Sequence, residues 1–322
     1  MCREIMRDRM AEAVLGQTIG PGRPRCEPAR DFQGPLAQFA ILVPAQDDGF
    51  EMFGGAVSMD HLVAVKVGDD SIDYSEGYAG DIQYAVVLQT SGSNRCIEGD
   101  NTGENRSDAF SPTTKLRISN MTCIVTNVDM NGGSNPSSKG DAEGPLFREG
   151  AYFELYNSLI ASNDVAMASN ECLEIDDTAG PETIDAAQAG TSAASSNLIM
   201  CSEAVKNGAI NAANAGFDFA TWLAGGDGSA QIPTNANTNN VVVNTNLPGV
   251  VVDGGVGTRG YLTAASLVDS QGTVVFDQAA LFDVTTLPDS AFFEAPTYLG
   301  GANAGDNWLD GWTIGLGLPL TP

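Results

Sequence analysis

The sequence predicts an all-β protein whose short strands wind as a parallel β-helix. Three observations indicate this class: acidic blocks that recur at steps of 22 and 25 residues, a glycine-rich turn after each of these blocks, and a strand-like stretch after each turn. A period of about 20–25 residues with short strands and no strong helix is typical of a solenoid, whereas a β-propeller blade takes about 40 residues. A β-sandwich remains the alternative, because any all-β chain shows short strands and turns.

The repeated block consists of two polar residues, a small residue or Cys, one apolar residue and then an acid. Its four copies end at Glu51, Asp73, Glu98 and Glu174. The strands predicted after the first three copies cover 57–65, 82–88 and 116–124. Because parallel strands stack about 4.8 Å apart, we expect Phe50, Ile72 and Ile97 to form one apolar column inside the coil. The acid after each of them would then lie in a row outside.

The chain divides into three segments by composition. Residues 1–34 form an atypical basic segment with a net charge of +1. The hypotheses for it are a separate leader, a wrongly assigned start of the sequence, or a functional basic arm. Residues 35–180 carry the predicted coils, with a loop inserted at 125–147. Residues 181–322 are predicted to be less regular, with a helix over 202–223 capped by Ser202 and one strand at 241–243. The tail that contains Trp308 and Trp312 is expected to pack back on the end of the solenoid.

The charge balance excludes several kinds of partner. The chain holds 15 Lys+Arg against 41 Asp+Glu, a net charge of −26. Nucleic-acid binding requires a basic surface, so nucleic acid is not expected as a partner, and neither is an anionic membrane. No apolar run is long enough for a membrane-spanning helix. The single histidine, His61, is expected to be a half-buried strand residue rather than a catalytic base.

The six cysteines suggest an oxidising, extracellular or cell-surface location. Their spacing favours the pairs Cys96–Cys123 and Cys172–Cys201, since a step of one coil would bring Cys96 near Cys123. Cys2 and Cys26 could form a third pair. Free buried thiols are the alternative.

The acidic row is the candidate functional site. Carboxylates stacked about 5 Å apart repel each other unless a proton, a basic side chain, solvent or a cation intervenes. Ca²⁺ suits such a site because it accepts six to eight oxygens in loose geometry. The candidate metal ligands are Asp47, Asp48, Asp69, Asp70, Asp73, Asp100, Asp176 and Asp177. A solvated acidic edge with Asx turns is the alternative.

The same acids also allow a catalytic interpretation. If the protein is an enzyme, Glu51, Asp73 and Glu98 are the candidate catalytic residues of a glycoside hydrolase. A polysaccharide lyase would use Arg95 or Arg117 as its base. The leading hypothesis is non-catalytic: binding, adhesion or a structural role at the cell surface, with polysaccharide or a surface component as partner. An aromatic sugar platform is the functional interpretation of Trp308 and Trp312.

Five short sequence segments of the chain resemble those of a known group of proteins. They are Gly49–Gly55, Gly68–Tyr78, Arg95–Asn101, Leu146–Gly150 and Cys172–Asp177. With the Trp-containing tail, they resemble secreted or cell-surface bacterial proteins of the right-handed parallel β-helix type, most of which have no assigned activity. The resemblance covers roughly 45–180 and 285–316. The wider fold class includes pectate-lyase-like enzymes, which implies carbohydrate as the substrate class by analogy.

Overall fold

The structure is a computed structural model of the 322-residue chain. The residues that it describes are 35–42, 47–89, 93–101, 107–125, 142–162, 171–245, 247, 250–252, 260–262, 266–269, 271–303 and 308–309. The basic segment 1–34 and the side chains of Cys2, Cys26 and Trp312 lie outside the described residues.

Two parallel sheets make up the main body. Sheet A has nine strands: β1 (Pro35–Leu42), β3 (Ser58–Val65), β5 (Asp81–Leu88), β7 (Lys115–Val125), β9 (Tyr152–Tyr156), β10 (Leu159–Ser162), β12 (Ala193–Ser195), β13 (Leu198–Met200) and β15 (Val241–Val243). Sheet B has six shorter strands: β2 (Phe50–Gly55), β4 (Ile72–Tyr78), β6 (Glu98–Gly99), β8 (Leu146–Phe147), β11 (Glu174–Ile175) and β14 (Lys206–Asn207). All pairings within these two sheets are parallel. The prediction of an all-β chain with parallel sheets is therefore confirmed.

The chain passes alternately through sheet B and sheet A, and we call one such passage a coil. Phe50 pairs with Ile72, and Asp73 pairs with Glu98, which places Ile97 beside Ile72. Ile72 and Ile97 are fully buried, and Phe50 packs against the same core. The predicted register of the repeated blocks is confirmed, because one apolar residue per block faces the interior at the same position in each coil.

The strands of sheet A do not alternate in the way the sequence predicts. We expect His61 to share a face with Met59 and Val63, but Met59 and Leu62 face the interior while Val63 packs on the outer side. His61 has a positive φ of 55°, and this left-handed residue reverses the alternation. The same position is left-handed in six successive coils, at His61, Tyr84, Asn120, Asn157, Ser196 and Asn239. It forms a bend that runs through sheet A from β3 to the start of β15.

Two disulfides lie in the interior between the sheets. They are Cys96–Cys123 and Cys172–Cys201, with Cα–Cα distances of 6.2 and 5.8 Å. Both predicted pairs are confirmed, although the geometry differs from the expectation. Each bond joins the beginning and the end of one coil across its interior, instead of linking neighbouring coils. The cysteine pairs therefore act as cross-links between sheet B and sheet A.

Both sheets continue past residue 180, where the sequence analysis places the end of the coils. The predicted helix over 202–223 is wrong: this stretch holds β14, a 3-10 turn at Ala212–Asn214 and helix α2 (Phe219–Leu223). Helix α1 (Glu182–Gln188) lies earlier, in the Ala-rich stretch. The N-cap of α2 is Asp218, whose carboxylate accepts from the Thr221 N–H. Apolar residues of the α2 region fill the interior of the last coil, namely Phe217, Phe219, Trp222, Leu223 and Ile232.

The structure also differs from the inserted loop predicted over 125–147. Residues 126–141 lie outside the described part, but Leu146–Phe147 forms β8 in the middle of sheet B. The Phe147 ring stacks on Phe153 at a centroid distance of 3.8 Å inside the coil. The predicted loop is therefore wrong for 142–147, which is buried and contains a strand of sheet B.

The C-terminal residues lie across the outer face of sheet A. Two antiparallel hairpins, β16 (Val250–Val252) with β17 (Gly260–Leu262) and β18 (Ser266–Val268) with β19 (Val274–Asp277), precede a strap over 278–302. Amide side chains of sheet A bind the strap backbone: Gln83 pairs with Glu294 and Asn157 with Phe282, each through both its oxygen and its nitrogen. Trp308 and Leu309, the described residues of the tail, pack on this outer face, whereas the sequence predicts that the tail packs on the end of the solenoid.

None of the helices in the described ranges is long and apolar enough to cross a membrane.

Candidate functional site

The outer side of sheet B carries the repeated acids in two columns. The first column contains Glu51, Asp73, Glu98, Leu146, Glu174 and Lys206. The second lies three residues earlier in each coil and contains Asp48, Asp70, Arg95, Glu143, Glu171 and Glu203. We call this surface the acidic face. It arises from the repeat itself, because the in-register parallel strands bring every equivalent side chain to the same side.

Five acids meet at the end of the acidic face formed by β2 and β4. Carboxylate oxygens of Asp48, Glu51 and Asp73 lie within 4.8 Å of one another, and so do those of Asp47, Asp48 and Asp69. Asp48 belongs to both sets, so we call the five residues the Asp48 cluster. The Asp73 Oδ1 atom is buried and accepts no hydrogen bond from the described residues.

Burial and mutual repulsion raise the pKa values of the acids at this end of the face. Desolvation is the largest cause for Asp48, whose pKa rises to about 7, and the backbone N–H of Asp70 opposes it. Desolvation also raises the pKa of Asp73 to about 9, with further increases from Asp100, Asp48, Glu98 and Asp70. The pKa of Asp70 rises to about 9 for the same main reason. These carboxylates therefore hold protons at neutral pH or require another positive charge.

The acids of the next coil, by contrast, have a guanidinium group beside them. Arg148 Nη2 lies 3.1 Å from Glu98 Oε2 and 3.5 Å from Asp100 Oδ2. The pKa values of Glu98 and Asp100 are still raised, because desolvation outweighs the lowering effect of Arg148. Arg95, a candidate base in the sequence analysis, also lies on the acidic face.

A second acidic cluster occupies the other end of the face. Glu143, Glu171 and Glu174 have carboxylate oxygens within 4.8 Å of one another, and all three side chains are buried. Arg95 and Lys206 form ion pairs with this cluster. Glu143 is not among the sequence-predicted site residues, because it stands in the stretch 125–147 that is predicted to be a loop. The Ala-Glu-Gly-Pro-Leu stretch at 142–146 occupies the position of the repeated block, but Ala142 replaces its first polar residue and Leu146 replaces its acid.

The remaining predicted ligands occupy other surroundings. Asp176 accepts hydrogen bonds from the Thr178 N–H and hydroxyl in a local turn. Asp177 accepts from the Ile184 N–H and from the side chain of Asn214, so it anchors helix α1. Within the described residues, neither belongs to a set of three acids that could hold a metal ion.

Three further residues that the sequence analysis considers for catalysis or sugar binding lie on or against sheet A. They are Arg117, His61 and Trp308. Arg117 forms an ion pair with Asp81 at 2.7 Å and donates hydrogen bonds to the strap carbonyls of Pro288 and Asp289. It therefore lies on sheet A, away from the acidic face, and cannot act there as a base. The His61 Nδ1 atom lies 3.1 Å from Asp60 Oδ1, and its ring packs edge-on against Trp308. The indole N–H of Trp308 donates to the Gly301 carbonyl. Its ring is therefore part of the packing of the C-terminal segment.

The comparison with protein families identifies the chain. Residues 34–226 match the family described as the pectate-lyase like beta helix domain. The protein belongs to this family, in agreement with the parallel pairing of both sheets and with the resemblance noted in the sequence. The match extends through α2 and ends before β15. No curated protein and no solved structure matches the chain.

Proposed function

We propose that the protein is an extracellular or cell-surface right-handed β-helix protein that binds carbohydrate at its acidic face, with Ca²⁺ held by the Asp48 cluster. The observation that carries the proposal is the meeting of the Asp48, Glu51 and Asp73 carboxylates within 4.8 Å. Membership of the pectate-lyase-like family supports a carbohydrate-related role, and two disulfides support an oxidising location.

The choice of Ca²⁺ follows from the donor set and from the charges around it. Ca²⁺ accepts six to eight oxygens from carboxylates, carbonyls and waters at 2.3–2.6 Å, in flexible geometry. The leading charges that act on Asp48 and Asp73 all come from other acids. A divalent cation would relieve that repulsion and would use the buried Asp73 Oδ1. The other end of the face already contains Arg95 and Lys206, which makes it a poorer metal site.

The same face offers groups that recognise sugars. Carboxylates accept hydrogen bonds from hydroxyl groups, and a bound Ca²⁺ attracts hydroxyl or carboxylate oxygens of a saccharide. Phe53 follows Glu51 by two residues on strand β2 and is 43 % exposed. An aromatic ring beside acids provides an apolar surface for the face of a sugar ring. With a net charge of −26 on the chain, we expect an acidic polysaccharide to bind only when Ca²⁺ is present.

The experiment is a binding assay against immobilised neutral and acidic polysaccharides, with Ca²⁺ or with EDTA. We expect retention on at least one polysaccharide with Ca²⁺, and a loss of at least tenfold in affinity with EDTA. Asp73→Asn should reproduce the EDTA result. Asp227→Asn is the matched control, because Asp227 is a fully exposed acid in the loop after α2. Binding that is equal in wild type and Asp73→Asn would refute the role of the Asp48 cluster.

A second candidate function is hydrolysis of a glycosidic bond at the same acids. The observation that favours it is the approach of the Asp73 and Glu51 carboxylates to within 4.8 Å, with Asp73 Oδ1 buried. Desolvation raises the pKa of Asp73 to about 9, which favours its protonated form at neutral pH. A protonated carboxyl next to a second carboxylate is the arrangement used for general acid catalysis in glycosidases. Release of reducing ends from a polysaccharide panel tests it. Activity that survives in both Asp73→Asn and Glu51→Gln would exclude this mechanism.

A further inference from the structure

The second acidic cluster differs from the Asp48 cluster in having its own cations. Arg95 Nη2 lies 2.7 Å from Glu143 Oε2 and 3.1 Å from Glu174 Oε2. Lys206 Nζ lies 2.5 Å from Glu171 Oε1 and 3.3 Å from Glu174 Oε1. These five residues come from four successive coils, through β6, β8, β11 and β14 and the residues just before them.

The charges of these five groups do not balance when all of them are ionised. Three carboxylates face two cations, which leaves a net charge of −1. The three glutamates are at most 7 % exposed, so this charge is buried. An uncompensated buried charge is costly, so the group tends to take up a proton instead. A carboxylate oxygen of Glu143 also lies within 4.8 Å of one of Glu171, with an oxygen of Glu174 within the same distance of both. Two carboxyl groups can form a hydrogen bond only if one of them carries a proton.

We propose that Glu143 and Glu171 share one proton, and that this proton makes the cluster a pH-sensitive clamp on the four coils that it joins. Glu143 is the residue that holds the proton, because Glu171 is the partner of both Lys206 and Arg95. The clamp is closed while the proton is present. Its removal leaves a net negative charge between stacked strands and weakens their association.

The directions of the pKa shifts agree with this assignment. Desolvation and Glu171 raise the pKa of Glu143 to about 9, against the lowering effect of Arg95. Hydrogen bonds from Glu143 and Lys206 hold the pKa of Glu171 at about 2, despite its burial. The other charged groups that face the pair are Arg95, Glu174 and Lys206, and the exposed Glu203 follows Glu171 in the same column.

The sign of the pH effect is set by Glu143. Its folded pKa lies above the ordinary value of 4.5, so the stabilisation is complete below that value and is lost as the pH rises through about 9. In this window one retained proton raises the unfolding equilibrium constant about tenfold for each pH unit. Glu171 acts at the opposite end, where its stabilisation is lost only as the pH falls through about 2.

Urea unfolding between pH 5 and pH 9 tests the proposal with Glu143→Gln, which keeps a hydrogen-bond donor toward Glu171 but cannot titrate. Excess Ca²⁺ in every sample keeps the Asp48 cluster in one state. We expect the unfolding equilibrium constant to rise more steeply with pH in wild type than in the variant. The ratio of the two constants should increase about tenfold for each pH unit. Glu154→Gln is the control, because Glu154 pairs with Lys115 on sheet A. It should keep the wild-type slope.

Equal slopes in wild type and Glu143→Gln would overturn the proposal. If Glu143→Gln does not fold, an NMR pH titration of the assigned Glu143 carboxyl ¹³C resonance in the wild-type protein tests the proposal instead. We expect it to titrate above pH 7. A resonance that titrates near the ordinary glutamate value would show that no proton is shared. Both readouts are independent of whether the acidic face binds carbohydrate.

Discussion

Glu51 and Asp73 lie opposite each other on the parallel strands β2 and β4, and Asp48 brings a third carboxylate within 4.8 Å of both. Two charges at this separation repel by about 1–4 kcal/mol, depending on the local dielectric constant. Parallel pairing in register cannot separate them, because the interior residues Phe50 and Ile72 fix the same register. The fold therefore concentrates negative charge at one end of sheet B.

The first prediction is that the protein without Ca²⁺ is more stable at pH 5 than at pH 8. Asp70, Asp73 and Glu143 have pKa values raised to about 9, and Asp48 to about 7, so the folded state keeps protons that the unfolded chain has lost. The stabilisation is present below their ordinary values near 4 and is lost as the pH rises through 7 to 9. Urea unfolding across this range measures it. Stability that increases steadily from pH 5 to pH 8 would contradict the account.

The second prediction concerns Arg148. Arg148→Gln removes the cation that pairs with Glu98 and Asp100. Because the Arg148 side chain is 32 % exposed, solvent screens part of the loss, and we expect a destabilisation of about 1 kcal/mol. Thermal melting measures the change, and added Ca²⁺ should restore more of the loss than it does for Arg117→Gln. An identical Ca²⁺ response in the two variants would show that Arg148 does not neutralise the acidic face.

The third prediction concerns the cross-links between the sheets. Replacing Cys172 and Cys201 by Ala should lower the free energy of unfolding by about 2–4 kcal/mol, because the bond restricts the unfolded chain. The Cys96–Cys123 pair should cost a similar amount, since the separations are 27 and 29 residues. Urea unfolding with and without a reductant measures both. A variant lacking both pairs should no longer respond to the reductant, and a remaining response would indicate a further bond.

The fourth prediction concerns Asn157, which has a left-handed backbone and holds the strap at Phe282 through its amide group. Asn157→Gly preserves the backbone conformation but removes the strap contacts, whereas Asn157→Ala loses both. We expect Asn157→Ala to be less stable than Asn157→Gly by about 1 kcal/mol. Limited proteolysis should cut within 278–302 faster in both variants than in wild type. Unchanged cleavage would mean that Asn157 does not hold the strap.

The register of the acidic face could be predicted because each repeated block couples one apolar residue to one acid. Strand period and burial then place Glu51, Asp73 and Glu98 in one row without further information. Glu143 escaped prediction because Leu146 interrupts the acidic column. The preceding residues are rich in Gly, Asn and Ser and suggest a loop. The cations Arg95 and Lys206 could be located only once the coils were in register.

The parts of the fold that sequence did not predict depend on long-range contacts. A left-handed residue such as His61 or Tyr84 carries no sequence signal comparable to that of glycine, so the reversal of alternation in sheet A was missed. The spacing over 202–223 suggests a helix, but Phe217, Phe219 and Trp222 are buried in the interior cluster, and most of the stretch is not helical. Tertiary packing outweighs the local pattern there. The strap follows the polar side chains Gln83 and Asn157, whose role appears only in the folded sheet.

Ca²⁺ titration by calorimetry at pH 7.5 tests the central claim most directly. The account predicts saturable binding by wild type and by Asp227→Asn, and a loss of at least tenfold in affinity for Asp48→Asn, because Asp48 contributes to both sets of the Asp48 cluster. Glu143→Gln should bind as wild type, since Glu143 pairs with Arg95 at the other end of the face and is not part of the Asp48 cluster. An absence of heat with wild type, or equal affinity in Asp48→Asn and Asp227→Asn, would contradict the account.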